Sequence, residues 1–551
     1  MNLIGNINAI PFRRFRGGGG VAPFPSIPGM IARYSALGLT NEQMATNPVW
    51  VDKTGNDHDL QMKNFAWGGM SGVDGYKQDY KGNRWTYASS RADIFYTGNF
   101  INVTSVKINS VQLYYQAYGG QPSFTVPSYS VKVSGLVEGQ NLDYRSSNGL
   151  ILNIKEDGIY RLPEFEFSAN GGFYGFQLNK IQESCNITIE QLPLYPGALV
   201  FDGVDDYGTC DNFPILTKEK GYTVVALRQW DQDFLNTTLT GGLLSTRNYS
   251  TGEGVAFEKI ESSSKGYWNL GAGGIIDFAK SPFTWQTSKQ YNNVGILKGG
   301  KNHGKPLCVG CGLSGGQQCG RFAIWELVIL DHDATEEELT KIKNYFVKTY
   351  PWLFPDQAWT VVGKTNEDED RATIANITGN GNDLVLSNFG FAEGSGYNEE
   401  GEYAGYLVTD GVDDKIISSI FKMGNDWTVI GDWELINTGK NDNAGIVKFD
   451  SIVIYNYNSI LINIKNGRNI LIPDQNTVNA ICSDGRIYSK DWKESIYNEE
   501  TESTSKNFLT IGYSGNAYTK IAFKNLAIYP TVLSREDCIK AYNYLQTLKA
   551  K

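Results

Sequence analysis

No run of this sequence approaches the roughly 18 consecutive apolar residues that a membrane-spanning helix requires, so no membrane span is expected. With a formal net charge of -10 and a pI near 5.1, the chain offers nucleic acid no electrostatic footprint. Histidine is scarce: His58, His303 and His332 stand in no triad pattern with a nucleophile. The start is unlike a signal peptide, because Gly5, Asn6 and Asn8 interrupt its apolar residues and Arg13, Arg14 and Arg16 follow the apolar part instead of preceding it. Cysteine is sparse and odd in number, seven scattered along 551 residues, which predicts free thiols in a protein made in a reducing cytosol.

Glycine (61 residues), tyrosine (32) and aromatic residues at 13% make up what is there, and with charged residues at only 20% they point to an all-β chain. The sequence also repeats itself. DGVDD stands at Asp202–Asp206 and again at Asp410–Asp414. Upstream, GLTNE from Gly38 answers GKTNE from Gly363, and TGNDHDLQMKNF from Thr54 answers TGNGNDLVLSNF from Thr378. Downstream, GYTVVALRQW from Gly221 matches DWTVIGDWEL from Asp426, and RFAIWELVIL from Arg321 matches KIAFKNLAIY from Lys520. A period this long is a duplicated domain, not a solenoid, and each copy is expected to bury its own core.

The copies differ in length between shared landmarks. Only Tyr397–Ala404 separates the SG block from the strand leading into DGVDD in the second, whereas about Val73–Leu194 lies between the same landmarks in the first. That stretch alternates like strands in VTSVKINSVQLYY, YSVKVSGL and CNITIEQL, with Gly, Asn and Pro turns between, and reads as an inserted antiparallel β-sandwich. The expected division is therefore 1–20 as a terminal peptide and hinge, 21–76 and 194–353 as one roll, 77–193 as the insert and 354–551 as the second roll. Because insertions are tolerated where the two ends lie close, the insert is expected to be removable.

Helical signals occur in two places, each after the last strand of a repeat. Thr335 and Glu338 form a capping box ahead of Leu339, Ile342 and Phe346 on one face, and Ser534 with Asp537 precedes Ile539, Tyr542 and Leu545.

Several residue groups could carry chemistry. Asp202, Asp205 and Asp206, like Asp410, Asp413 and Asp414, could give Ca²⁺ hard oxygen ligands. The reading preferred here is a tight Asp-Gly turn whose side chains close backbone hydrogen bonds, since no distal bidentate Glu follows. No other cofactor is expected. His303, Cys308, Cys311 and Cys319 have zinc-like proximity, but Cys308 and Cys311 align with the apolar Phe508 and Ile511, and their odd spacing on a strand places them on opposite faces. Buried free cysteines are expected instead. Glu164 and Glu166 share a strand face in PEFEF, an arrangement that surface acids adopt more often than catalytic ones do. Trp230, Trp268, Trp285, Trp433 and Trp492 are candidates for stacking on sugar rings, although a tryptophan in a β-protein more often belongs to the core.

The first residues form a region of their own. Leu3, Ile4, Ile10, Pro11 and Phe12 could fill a groove on a partner while Arg13, Arg14 and Arg16 pair with its acids, and Gly17–Gly20 would insulate this peptide from the rest. A disordered start is the alternative.

The repeated strand, DGVDD turn and closing helix resemble the laminin-G-like jelly roll of the concanavalin A-like lectin/glucanase superfamily, whose members commonly carry FDG-x-DD. Phe201–Tyr207 fits that pattern, while in the second copy Thr409 replaces the Phe and Lys415 the Tyr. The likeness implies an all-β fold: two laminin-G-like jelly rolls, the first interrupted by the inserted sandwich, each closed by a short amphipathic helix. The E-x-D-x-E strand of the superfamily's retaining glucanases has no counterpart here, and a non-enzyme is expected. The terminal peptide, the YSALGLTNE block and DGVDD together are similar to virion proteins of tailed phages infecting gut Bacteroidales, including crAss-like phages. This resemblance implies a head-fibre or tail-fibre protein made in the host cytoplasm and placed on the virion surface. Its N-terminus would bind capsid or tail proteins, the chain would form a homo-oligomer, and its rolls would attach to host-surface glycan. The alternatives are a polysaccharide-degrading enzyme of the same superfamily and a purely structural capsid decoration protein.

Overall fold

In the computed structural model the chain is a stack of antiparallel β-sandwiches with few helices. It describes residues 23–550 apart from internal stretches, the longest being 247–255, 288–306, 437–444 and 497–505; in the strands within 265–287 and 445–472 only the backbone is described. The terminal peptide with Leu3, Ile4, Ile10, Phe12, Arg13, Arg14 and Arg16 lies outside the described residues, as does His303.

The two repeats adopt one topology. In the first, Arg321–Leu330 is the central strand of a six-stranded sheet, between Thr223–Trp230 and Leu199–Asp202, with Met30–Ser35 pairing along its end. In the second, Ile521–Tyr529 lies between Thr428–Leu435 and Tyr406–Val408, with Gln357–Thr360 along its end. Even a bulge recurs, at Leu227/Arg228 and at Asp432/Trp433. Each of these sheets faces a second one across an apolar core: Trp50, Leu60, Phe201, Phe322 and Ile324 in the first roll, and Trp359, Leu384, Ile416, Leu509 and Phe523 in the second. Both halves are β-sandwiches, and the all-β expectation stands.

Between Trp85 and Gln191 two five-stranded sheets enclose a separate core of Ile101, Val111, Leu142, Phe176 and Ile187. The strands on either side of this insert are neighbours. Val73 pairs with Leu199 and Gly72 with Val200, and the Tyr195 amide donates to the Asp74 carbonyl at 2.8 Å.

Both anticipated helices form, Glu336–Thr349 and Arg535–Leu545. The first carries the full capping box, Thr335 accepting from the Glu338 amide while Glu338 accepts from Thr335 N–H, which satisfies two orphan amides. In the second, Cys538, Ala541, Tyr542 and Leu545 are buried, while Ile539 is half-buried. Two short helices, Asn41–Thr46 and Gln232–Leu235, lacked a periodic signal.

The rolls do not keep their apolar surfaces to themselves. Along the central strands alternate residues point to opposite faces: Phe322, Ile324, Leu327 and Ile329 enter the intra-roll core, while Ala323, Trp325, Val328 and Leu330 enter another. That further core joins both closing helices with Ile430, Ala480, Tyr488, Trp492, Ala527 and Tyr529 of the second roll. The rings of Trp325 and Tyr544 meet edge-on at 6.3 Å, Tyr544 Oη donates to Gln229 Oε1 at 3.1 Å, and Tyr529 Oη donates to the Trp352 carbonyl at 3.1 Å. Beside the core that each copy was expected to bury, the halves thus share one. The central strands run apolar on both faces because both are covered.

Candidate functional site

The DGVDD turns are the same device built twice. In the first roll the turn joins Leu199–Asp202 to Tyr207–Cys210, and Gly203 takes φ +76, a left-handed conformation that brings its backbone against Arg321. Gly411 repeats this at φ +75 against Lys520. Asp206 is wholly buried: its Oδ1 accepts from Ser71 Oγ at 2.9 Å and its Oδ2 from the Asp202 amide at 2.9 Å. Asp414 does the same with Ser395 Oγ at 3.1 Å and the Asp410 amide at 2.7 Å. The first aspartate of each turn accepts from the valine amide two residues on, at 2.7 Å in both copies. Asn64 and Asn388 donate to the carbonyls of Asp205 and Asp413 at 3.1 and 3.0 Å.

A second strut ties the same region to the GLTNE and GKTNE blocks. Asn41 spans the backbone of Val73, accepting from its amide at 2.7 Å and donating to its carbonyl at 3.3 Å. Asn366 clasps Tyr397 in the same way, at 2.9 and 2.8 Å. The repeated asparagines, serines and aspartates are the frame that holds each turn.

The three carboxylates of each turn can bring one oxygen apiece within 4.8 Å of one another. Burial and the neighbouring Asp202 carboxylate push the Asp206 carboxyl up to about 7, and burial pushes Asp414 up to about 6 against its backbone hydrogen bond from Asp410. Asp205 and Asp413 are exposed, as are the tips Val204 and Val412, at 69% and 70% of full exposure. The backbone-directed hydrogen bonds of Asp202, Asp206, Asp410 and Asp414 are those of a structural turn. What reaches solvent at each tip is one valine and one aspartate.

The other candidates separate. Glu164 and Glu166 are exposed, and Glu166 accepts a hydrogen bond from Thr125 Oγ1 on the paired strand. Trp230, Trp433 and Trp492 are buried in cores and offer no stacking platform; the side chains of Trp268 and Trp285 lie outside the described ones. The expectation of free cysteines needs correction, because Cys311 and Cys319 are joined by a disulfide. Strand alternation was also the wrong guide to Cys308 and Cys311. Gly310, at φ +98, breaks the strand between them, so both thiol-bearing residues and Cys319 come together in one buried cluster. The remaining described cysteines, Cys185, Cys210, Cys308, Cys482 and Cys538, are buried and take part in no disulfide among the described residues. Beside the Asn41–Thr46 helix a wide-open depression is lined by Leu39, Glu42, Met44 and Val49.

Sequence reasoning missed a polar cluster where the insert meets the second roll. Arg161, on the insert strand Gly158–Leu162, stands 3.7 Å from Asp432 Oδ2, and Tyr406 Oη donates to Asp432 Oδ1 at 3.1 Å. The Lys524 ammonium lies 5.2 Å from the centre of the Tyr406 ring, whose edge-on neighbour at 6.3 Å is Tyr403. Farther along the junction, Lys493 pairs with Glu156 at 3.2 Å. Asp432 stands where the matched strand of the first roll has the apolar Leu227, and that departure was the available signal.

No family model and no curated protein matches the chain. Among solved structures it is similar to the binding domain of botulinum neurotoxin serotype D, with 11% identity over 62% of this chain and 89% of that one, at a TM-score of 0.23. Trypanosoma rangeli sialidase in complex with the inhibitor DANA gives 8% identity over 86% of this chain and 98% of that one, at a TM-score of 0.24. Likenesses this distant carry no argument about what the chain does.

Proposed function

We propose that this chain is a surface attachment protein of a tailed-phage virion, head or tail fibre in kind, anchored by its N-terminal peptide and presenting its sandwiches to host-surface glycan. The phage assignment rests on the sequence resemblance alone. The attachment reading is supported by one structural observation: three sandwiches locked together by a shared core and an ion-paired junction, with loop tips turned to solvent. Such a platform suits binding by fixed loops, since little ordering entropy remains to be lost on contact. The repeated carboxylates frame the turns instead of flanking a cleft, which favours binding over hydrolysis.

Purified full-length protein on a glycan array tests the reading, with capsular polysaccharide incubated in parallel. Retention without release of reducing ends is expected; turnover would make the chain a hydrolase, and no retention would leave a decoration protein. Deleting Met1–Gly20 should leave melting and oligomeric state almost untouched while abolishing incorporation into particles. Replacing Arg13, Arg14 and Arg16 by Ala should weaken incorporation in a salt-dependent manner.

A further inference from the structure

The junction between insert and second roll sets two cations, Arg161 and Lys524, against a single buried carboxylate, Asp432. Arg161 and Lys524 lie close enough to act on one another, and Asp432 acts on both, with side-chain exposures of 25% for Arg161 and 10% for Asp432. Glu164, the other acid acting on Lys524, is exposed to solvent, where its charge is screened. Burial first, then the Arg161 charge, push the Lys524 ammonium down to about 8, while Asp432 and Glu164 act in the opposite sense.

Hydrogen-bonding capacity is also left over. Asn525 is Asp432's cross-strand partner and so shares its face; it is wholly buried, and neither amide atom has a hydrogen-bond partner. Asp432 Oδ2 has its ion pair but no hydrogen bond. Beside this polar group stand the half-buried rings of Tyr403, in the abbreviated turn that replaces the whole insert of the first roll, and Tyr406, at the start of the strand that follows it. Two cations sharing one buried carboxylate are short of an anion, and a tyrosine pair at the rim offers faces for a sugar ring.

We propose that Lys524 and Arg161, with Tyr403 and Tyr406, form a binding site for the oxyanion of an acidic saccharide. This deepens the attachment reading and rests on it. The anion pairs with the Lys524 ammonium while Asp432 keeps Arg161 in place, and the tyrosines select a sugar over a bare ion.

Calorimetric titration of the full-length protein with an oligogalacturonate, a neutral malto-oligosaccharide of equal length and sodium sulfate tests the proposal. Oligogalacturonate should bind, sulfate more weakly and the neutral sugar not measurably. Lys524→Gln should weaken oligogalacturonate by roughly tenfold or more, the weight of a charge-assisted hydrogen bond, and Lys524→Arg should restore most of it. Affinity should fall as pH rises through about 8, where Lys524 loses its proton; burial holds the Tyr406 and Tyr542 phenols well above their ordinary value, so both stay neutral there. Equal affinity in wild type and Lys524→Gln, or no binding of either anion to wild type, overturns the site. Retention of neutral glycans on the array in that case leaves the attachment function standing, so the two failures are distinguishable.

Discussion

The same position on the central strand is Glu326 in the first roll and Asn525 in the second, and the two are served in opposite ways. Glu326 is fully buried and satisfied from within its own roll: Arg33 Nε and Nη2 donate at 3.1 Å each, Ser35 Oγ at 2.8 Å and Tyr350 Oη at 2.9 Å. Arg33 itself is stacked on Phe24, 4.2 Å from the ring centre. In the second roll Ala358 occupies the place of Arg33, and Asn525 has no partner. The acid has moved one strand over, to Asp432, and its cation comes from another domain, Arg161 of the insert. One roll is self-sufficient at this point, while the other depends on a segment inserted into its twin. After duplication, the insert has become part of how the second copy is completed.

Glu326→Ala should give the largest effect, because it strands the Arg33 guanidinium, only 13% exposed, without a counter-charge; a loss of ~3–5 kcal/mol is expected in urea denaturation. Asn525→Leu at the matched place should be neutral or stabilising, since it removes two unsatisfied buried atoms. A comparable loss in both variants would erase the contrast. Arg161→Ala should cost less, about 1–3 kcal/mol, its pair being partly open to water. It should also raise the Lys524 titration above about 8 by removing the like charge. NMR of the lysine side chain would show that rise, and an unmoved titration would mean Arg161 does not act on Lys524.

The next effect is pH-dependent. Asp206 and Asp414 titrate near 7 and 6 in the folded chain, above the usual value near 3.9 in an unfolded one. The folded state therefore holds the extra protons. Their stabilisation is complete below about pH 4 and is lost as pH rises through 6 and then 7. Asp206→Asn, which can donate to Ser71 Oγ and still accept from the Asp202 amide, should flatten the melting profile between pH 5 and about 8 more than Asp414→Asn does. The smallest expected effect is on metal removal: chelator should leave the melting temperature unchanged if the DGVDD carboxylates only frame a turn. A rise with calcium that disappears in Asp205→Ala or Asp413→Ala would reverse that reading.

The repeat, the strands and both capped helices were legible because each rests on local grammar: an Asp-Gly turn, two-residue alternation, a Thr-x-x-Glu box. The shared core was harder to see. RFAIWELVIL and TVIGDWEL are apolar at odd and even positions alike, which says that both faces are covered but not by what. The Arg161–Asp432 pair lay further from view. Its residues are 271 positions apart, and an arginine in GIYRL reads as ordinary surface until the second roll is placed beside it. The disulfide was missed because an odd, scattered set of cysteines reads as free thiols, whereas Cys311 and Cys319 face each other on paired strands.

The helix Arg535–Leu545 has a bearing on the order of folding. It covers a first-roll surface whose partner Gln229 lies 315 residues earlier, an interval that takes a ribosome about 15 to 60 s to synthesise. Until then the edge of Trp325 that meets Tyr544 lacks this cover. A nascent chain stalled before residue 535 would carry a finished first roll with part of its shared face still open and adhesive, and Arg535–Leu545 is the helix that closes that part.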